Sequence, residues 1–309
     1  MKNSGADIRK DLFRRTIYFA LFVVVSSVAF RGLVKQLVGF ALTYDYGSHL
    51  LLVAPASIFL VYLKRQEIFS AQVDPNRKRT CIAGSGFFLL GLIFLLVSRY
   101  QPLSADKLSL QILSLVVLWI SVFIFCYGSE SFVKARFPLL FLLLLVPIPE
   151  FVIDKVIFAL QMGSSDVAYG LLKVLGVPVL KEGFILQLPR VNLEVAKECS
   201  GIRSSIALLL TVLVAGEFVL RSGWRKVLFV VSIIPILVIK NGARIVTIYL
   251  LTAYVNPAFL HGWLHTSGGV VFYLLGLIAL IPVAALLRRW ERKDVNRFPV
   301  RELAHVTSV

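Results

Sequence analysis

The sequence is poor in charged residues and in cysteine, and each shortage excludes a class of protein. Charged residues make up only 16% of the 309 positions, while hydrophobic residues make up 58%. Soluble domains, by comparison, carry about 25% charged residues. This composition excludes a disordered chain and points away from a globular cytosolic enzyme. Three cysteines are too few for a disulfide scaffold. The class that remains is a membrane protein.

Acidic residues are also scarce: 17 Asp and Glu stand against 33 Lys and Arg, which gives a net charge of +16. Such an excess favours a nucleic-acid partner when the basic residues gather on one folded surface. Here they fall in short runs between long apolar stretches, which is the pattern of membrane topology. The sequence therefore predicts contact with membrane lipids and no nucleic-acid partner.

Eight apolar stretches approach the length of about 20 residues that a transmembrane helix needs. They cover residues 16–30, 47–63, 81–98, 108–127, 132–147, 201–220, 224–240 and 266–287. The fifth is short and ends at Pro147-Ile148-Pro149, because proline breaks a helix. The predicted fold class is thus an all-α polytopic membrane protein with about eight transmembrane helices.

Lysine and arginine near the ends of these spans set the orientation, because they accumulate on the cytoplasmic side. Most of the basic residues fall into groups that this rule places together: residues 2–15, 64–79, 134–136, 221–226 and 288–301. Both termini are therefore predicted to be cytoplasmic. The predicted organisation is a single transmembrane domain, residues 1–290, followed by a basic cytoplasmic tail, residues 291–309.

The long segment between the fifth and sixth spans lies on the extracytoplasmic face in this topology. Residues 151–175 predict an amphipathic helix in the membrane interface. Gly163-Ser164-Ser165 is expected to break that helix. Residues 183–188 and 191–195 alternate apolar and polar side chains, which predicts a short β-hairpin turned at Pro189-Arg190. The hairpin leads directly to Cys199.

Cys199 is the most informative candidate, because the topology separates it from the other thiols. Cys81 and Cys126 fall at the inner ends of their spans, whereas Cys199 faces a compartment in which disulfides normally form. It also begins a helix, where unpaired backbone N–H groups favour a thiolate. The alternative to a reactive thiol is a small buried packing residue.

A second candidate group lies where the seventh span ends. Asn241 and Arg244 are three positions apart and therefore share a helical face. An arginine at membrane depth is costly and by default indicates function. The alternative is that Lys240 and Arg244 reach towards water as interfacial anchors.

His265 begins the eighth span, four positions after His261. That spacing suits a metal pair, but no acidic or cysteine partner stands at ligand spacing, so we predict no metal and no cofactor. The alternative is an interfacial histidine without a catalytic role. Cys199, Arg244 and His265 nevertheless reach one face from three spans. A thiolate, a cation for an oxyanion and a general acid/base are the minimum set for thiol-based acyl transfer.

Four motifs and their order give the sequence a resemblance to a known family. They are Cys-Ser-Gly-Ile-Arg-Ser at 199–204, Asn-Gly-Ala-Arg-Ile at 241–245, Tyr-Gly-Ser-His-Leu at 46–50 and Leu-Leu-Leu-Leu-Val-Pro-Ile-Pro at 142–149. With a histidine before the last span, this set resembles the exosortase/archaeosortase family over roughly residues 40–285. One departure is Leu50, where the family's early motif usually has glycine.

The resemblance implies a membrane-embedded cysteine protease and transpeptidase of the inner membrane, with its active site on the extracytoplasmic side. Its partners would be exported proteins with a C-terminal sorting signal of the PEP-CTERM kind, made of a short motif, a hydrophobic helix and a basic tail. Such an enzyme cleaves the signal through a cysteine thioester. It then transfers the protein to an acceptor nucleophile, a lipid or cell-envelope amine.

The resemblance also implies roles for individual residues. Cys199 would attack the scissile carbonyl, His265 would protonate the leaving amine and Arg244 would stabilise the oxyanion. Arg203 is the rival for the cationic role, since it follows Cys199 by four positions on the predicted helix. The supporting or substrate-binding candidates are His49, Ser200, Gly201 and Asn241.

A non-enzymatic membrane component of polysaccharide export or envelope assembly is the alternative function. In that case the glycines of the motifs, such as Gly201 and Gly242, would serve close helix packing. A secondary transporter is less favoured, because the sequence contains no internal repeat.

Overall fold

The computed structural model describes residues 5–69, 77–102, 105–189, 192–260 and 269–297. Within these ranges the chain is mainly helical, and it has six helices long and apolar enough to cross a membrane, or seven if one bent pair is a single span. The predicted class, a helical multi-pass membrane protein, is confirmed. The chain forms two compact units, Met1–Ile153 and Asp154–Val309.

The first unit is organised around one buried apolar helix, α6 (Ala105–Tyr127). Its helices are α1 (Gly5–Ala29), α2 (Arg31–Thr43), α3 (Leu50–Leu63), α4 (Arg65–Ile68), α5 (Arg77–Arg99), α6 (Ala105–Tyr127), α7 (Ser129–Lys134) and α8 (Arg136–Phe141). Helix α5 packs closely on α6 through small residues. The hydroxyl groups of Ser114 and Ser121 on α6 donate to the carbonyls of Gly91 and Gly84, at 2.8 and 2.9 Å. Such small-residue contacts let apolar helices approach each other in a membrane.

Two predicted spans in this unit are shorter than a membrane crossing. Helix α3 has 14 residues because a 3₁₀ turn, Asp45–Gly47, occupies the start of the predicted second span. The predicted fifth span is divided into α7, α8 and a 3₁₀ turn, Leu142–Leu145. Beyond Pro147 and Pro149 the chain turns into α9 (Glu150–Val174), bent by 91° from the preceding segment. The predicted fifth span is therefore not one helix, whereas its predicted end at Pro147-Ile148-Pro149 is confirmed.

The second unit begins on α9 and contains the remaining candidate spans. Its further helices are α10 (Ile202–Val219), α11 (Gly223–Val231), α12 (Ile233–Tyr254) and α13 (Gly269–Arg297). Helices α11 and α12 together form one candidate span, Gly223–Tyr254. The prediction that the seventh span ends near Lys240 is wrong, since α12 continues to Tyr254. The physical reason is that Lys240, Asn241 and Arg244 are buried against neighbouring side chains and therefore do not mark a water interface.

Helix α9 confirms the helix predicted over residues 151–175, but the break predicted at Gly163-Ser164-Ser165 is wrong. Ser164 and Ser165 are fully buried within a continuous helix. A Cβ atom on Gly163 would lie 3.0 Å from the side chain of Val238 on α12. These small residues therefore serve close contact between α9 and α12.

A small antiparallel sheet follows α9. Its strands are β1 (Leu180–Glu182), β2 (Ile185–Gln187) and β3 (Leu193–Glu194), in that spatial order. The pairing of β2 with β3 confirms the predicted hairpin, with Ile185 opposite Glu194 and Leu186 opposite Leu193. Strand β1 was not predicted; its turn into β2 uses Gly183 at φ +60°, a conformation that glycine adopts at little cost. Arg190, in the predicted turn, lies outside the described residues.

The sheet is anchored by apolar contacts with α9 and α12. One buried cluster joins Leu172 of α9, Leu186 of β2 and Tyr249 of α12, and it includes Val195, which follows β3. The Gln161 side-chain amide donates to the Val195 carbonyl at 2.7 Å. Val195, at the start of the segment that leads from β3 to Cys199, is thus held both by this cluster and by α9.

Candidate functional site

Cys199 lies in a 3₁₀ turn, Lys197–Ser200, between β3 and α10. Gly201 follows the turn with φ +71° and ψ +20°, and α10 begins at Ile202. The side chain of Cys199 lies outside the part of the chain that the structure describes. The backbone places the residue in a tight turn ahead of α10, so Cys199 and Arg203 do not share one continuous helix.

The carbonyl group of Gly201, the residue that follows this turn, accepts three hydrogen bonds from the first turn of α10. It accepts the backbone N–H of Ser205 at 2.9 Å and the Ser205 hydroxyl at 2.8 Å. It also accepts the Ser204 hydroxyl at 3.0 Å. These bonds satisfy the first turn of α10 and fix the orientation of the peptide two residues after Cys199.

Asn241 of α12 packs against the other side of Gly201. A Cβ atom on residue 201 would lie 2.8 Å from Asn241 Oδ1. The Asn241 side-chain N–H₂ donates to Ser164 Oγ of α9 at 3.0 Å, and both side chains are buried. Asn241 therefore connects α9 and α12 to the turn that carries Cys199.

Lys240, the residue before Asn241 on α12, reaches the first turn of α10. It is 6% exposed, and its ammonium group donates to Ser204 Oγ at 2.6 Å. Ser204 in turn donates to the Gly201 carbonyl. Consecutive residues of α12 thus hold Gly201 by two routes, Asn241 by direct contact and Lys240 through Ser204.

Arg244 and Arg203 differ in their surroundings. Arg244 is 9% exposed and lies one turn after Lys240 on α12, whereas Arg203 is exposed on the first turn of α10. The alternative of Lys240 and Arg244 as exposed interfacial anchors is therefore wrong. A cation inside a low-dielectric region acts more strongly on a nearby charge than an exposed cation does.

Ser200 is the next residue after Cys199, and it is buried, with 1% of its surface exposed. Among the described residues its hydroxyl group has no hydrogen-bond partner. Leaving a buried hydroxyl unsatisfied costs about 1–3 kcal/mol. The Ser200 hydroxyl, on the residue after the candidate nucleophile, is therefore available for a further hydrogen bond.

Lys197, in the same turn, connects it to α9 at the surface. Its ammonium group lies 3.3 Å from Asp154 Oδ1, and both side chains are well exposed. An exposed ion pair contributes little to stability. The turn is therefore held mainly by the buried contacts of Gly201.

The two candidate histidines differ in what the structure describes of them. His265 lies outside the described residues, as does His261. His49 belongs to the first unit, where it precedes α3 and hydrogen-bonds with backbone groups of Tyr46 and Leu144. Two of the sequence motifs, 46–50 and 142–149, therefore meet at His49.

Sequence reasoning missed Ser164, Ser204 and Lys240 as parts of this cluster. Ser164 belongs to a Gly-Ser-Ser segment whose composition is typical of a helix break. Its signal was available, however, because polar residues inside a membrane-depth helix usually face other protein elements. The buried state of Lys240 depends on partners distant in the sequence and has no local signal.

The elements now define a class: a helical multi-pass membrane protein in which polar residues of α9, α10 and α12 converge on a cysteine-bearing turn. The profile of the transmembrane exosortase family (Exosortase_EpsH) matches residues 42–282. The chain therefore belongs to the transmembrane exosortase family, which confirms the resemblance drawn from the motifs. No curated protein sequence matches the chain. No solved structure matches it either. Membership supports, at the level of the family, a membrane protein-sorting transpeptidase.

Proposed function

We propose that this protein is a membrane cysteine transpeptidase that cleaves the C-terminal sorting signal of exported proteins. The observation that carries the proposal is that buried polar residues of α9, α10 and α12 hold Gly201, two residues after Cys199, in a chain of the exosortase family. A nucleophile next to a backbone segment that hydrogen bonds hold in place needs little reorganisation when it reacts.

The proposed reaction has two acyl-transfer steps. The Cys199 thiolate attacks the scissile carbonyl carbon, and a tetrahedral intermediate with an oxyanion forms. The intermediate collapses as the C–N bond breaks and His265 donates a proton to the leaving amine. The product is a thioester on Cys199. An acceptor amine then gives a proton to His265 and attacks the thioester, which forms a new amide and restores the thiolate.

Arg244 is the preferred residue for oxyanion stabilisation. Its side chain is buried, whereas Arg203 is exposed. Preorganised donors in a water-poor site stabilise a developing negative charge more than solvated ones do. Arg203 is then available to influence the Cys199 thiol or the substrate from the surface.

Ser200, Asn241 and His49 are assigned supporting roles. The buried Ser200 hydroxyl offers a hydrogen bond to the bound sorting motif, since it has no partner among the described residues. Asn241 positions the turn through Gly201 and Ser164. His49, fixed by the motif backbone at Tyr46 and Leu144, is a substrate contact or a second acid/base group.

The proposed substrate follows from the membrane setting. A C-terminal sorting signal with a hydrophobic helix would lie among the spans, and its basic tail would remain on the cytoplasmic side by the same positive-inside rule. Under this orientation Cys199 faces the extracytoplasmic side of the inner membrane. The acceptor is a lipid or envelope amine.

The test uses Cys199→Ala in cells that carry a tagged protein with such a sorting signal. Cys81→Ala and Cys126→Ala are the matched controls, because both remove a thiol from the first unit. We expect processing to stop in the Cys199 variant at normal protein level and to continue in the controls. Continued processing in the Cys199 variant would overturn the assignment and would favour the non-enzymatic envelope component.

A further inference from the structure

We propose that Lys240 is a positioning residue for Cys199 and that its positive charge stabilises the anionic thiolate. The inference rests on the proposed function of Cys199 as the nucleophile and extends it to a residue outside the three proposed catalytic groups. Its basis is the placement of one buried ammonium group at the junction of three helices.

Lys240 contacts two helices besides its own. It belongs to α12, one turn before Arg244, and its ammonium group donates to Ser204 of α10. Its aliphatic chain packs on α13, where a Cβ atom on Gly276 would lie 3.4 Å from Lys240 Cδ. Helix α13 follows the segment that contains His265. A substitution at Lys240 therefore alters the contacts of α12 with both α10 and α13.

The route from Lys240 to the nucleophile turn is a chain of two hydrogen bonds. The ammonium group donates to Ser204 Oγ at 2.6 Å, and Ser204 Oγ donates to the Gly201 carbonyl at 3.0 Å. Gly201 has a left-handed backbone conformation and immediately follows the turn of Cys199 and Ser200. Lys240 thus orients the turn and places its ammonium group one hydrogen-bonded side chain away from Gly201.

Packing alone does not account for a lysine at this position. A methionine of similar length would fill the same space without the cost of burying an ammonium group. Among the described residues no carboxylate lies within ion-pair distance of Lys240, whose hydrogen-bond partner is the neutral Ser204. We infer that the thiolate of Cys199, which the proposed function requires, is the anion that compensates this charge.

The experiment measures the alkylation rate of Cys199 by iodoacetamide at pH 7 in the full-length protein without substrate. Cys81→Ser and Cys126→Ser remove the other two thiols from the background. We expect Lys240→Met to slow alkylation about tenfold, because an opposite charge changes a thiolate population by at least that factor. Lys240→Arg keeps the charge and should restore most of the rate.

Two further variants separate charge from position. Ser204→Ala removes the hydrogen-bond route and keeps the ammonium group, so we expect a smaller decrease in alkylation rate. Lys173→Met removes an exposed lysine of the same unit, which stacks on Tyr169, and should leave the rate unchanged. Equal alkylation rates in Lys240→Met and the parent would overturn the proposal.

The folded state and the proposed function are checked separately. Thermal unfolding in detergent identifies a Lys240 variant that fails to fold; in that case Lys240→Gln and Ser204→Ala decide, and unchanged alkylation in both would overturn the proposal. Because alkylation needs no substrate, a normal sorting result in Cys199→Ala would remove the proposed function without altering this measurement. The two failures are therefore distinguishable.

Discussion

Asn241 and Gly201 fit each other so closely that the Asn241 carboxamide oxygen lies 2.8 Å from the position that a Cβ atom on residue 201 would occupy. Gly201 is also one of four glycines with positive φ among the described residues. Two separate physical requirements, backbone conformation and space, therefore select glycine directly after the Cys199-Ser200 pair.

Gly201→Ala is expected to impair both stability and sorting. The positive φ alone costs a residue with a Cβ atom about 1–2 kcal/mol, and the contact with Asn241 adds to it. Gly176→Ala is the matched control, because Gly176 has φ +73° and a Cβ atom added there would meet no neighbouring atom within 4 Å. Thermal unfolding and processing assays on both variants compare the two effects. Equal losses in the two variants would contradict a specific role for the Asn241 contact.

Asn241→Ala is expected to reduce processing and to lower the stability by about 1–3 kcal/mol, because Ser164 Oγ loses a buried hydrogen bond. The same change opens space beside residue 201. The double variant Gly201→Ala/Asn241→Ala should therefore lose less stability than the two single variants added together. Strict additivity would indicate that the two residues are energetically independent.

Arg244→Lys is expected to lower kcat for processing strongly, by about 10²-fold or more, because an ammonium group does not reproduce the planar fork of an arginine. Arg203→Lys is the matched comparison, since Arg203 is exposed on α10. We expect it to lose less than tenfold by the same reasoning. A reversed order, with the larger loss at Arg203, would assign the oxyanion to Arg203.

Glu291 of α13 provides a prediction about stability at a distance from the cysteine turn. Its carboxylate accepts the backbone N–H groups of Arg221 and Ser222, at 3.1 and 2.7 Å, and lies 3.5 Å from the guanidinium group of buried Arg225. Glu291→Ala leaves that cation without one of its acidic partners, and we expect a loss of about 3 kcal/mol. Thermal unfolding in detergent measures the loss.

The folded fraction of Glu291→Ala should keep its ordinary alkylation rate at Cys199, since Glu291 contacts the α10–α11 connection and not the Gly201 turn. A protein as stable as the parent would contradict the structural role of this carboxylate. An altered alkylation rate in a fully folded sample would indicate coupling between the two regions.

The sequence predicted those features that depend on local composition. Apolar length located α5, α6, α10 and most of α13, and alternation located the pairing of β2 with β3. Motif order predicted the family, which the profile match confirms. These signals are contained within short windows of the chain, so partners distant in the sequence do not alter them.

The errors arise where tertiary contacts override local preference. Gly163-Ser164-Ser165 has the composition of a helix break, yet contact with α12 keeps α9 continuous. Lys240 has the charge of an interface residue, yet Ser204 and Gly276 enclose it, and α12 continues to Tyr254. The proposed roles of Cys199, Arg244 and His265 remain predictions, and His265 lies outside the described residues.

The most direct measurement of the central claim is mass spectrometry of the protein incubated with a sorting-signal substrate in the absence of an acceptor amine. We expect the N-terminal product of cleavage to be attached to the peptide that contains Cys199, and hydroxylamine to release it as it releases a thioester. Cys199→Ala should yield neither the adduct nor the cleaved product. An adduct on another residue, or cleavage that persists in Cys199→Ala, would show that Cys199 is not the nucleophile.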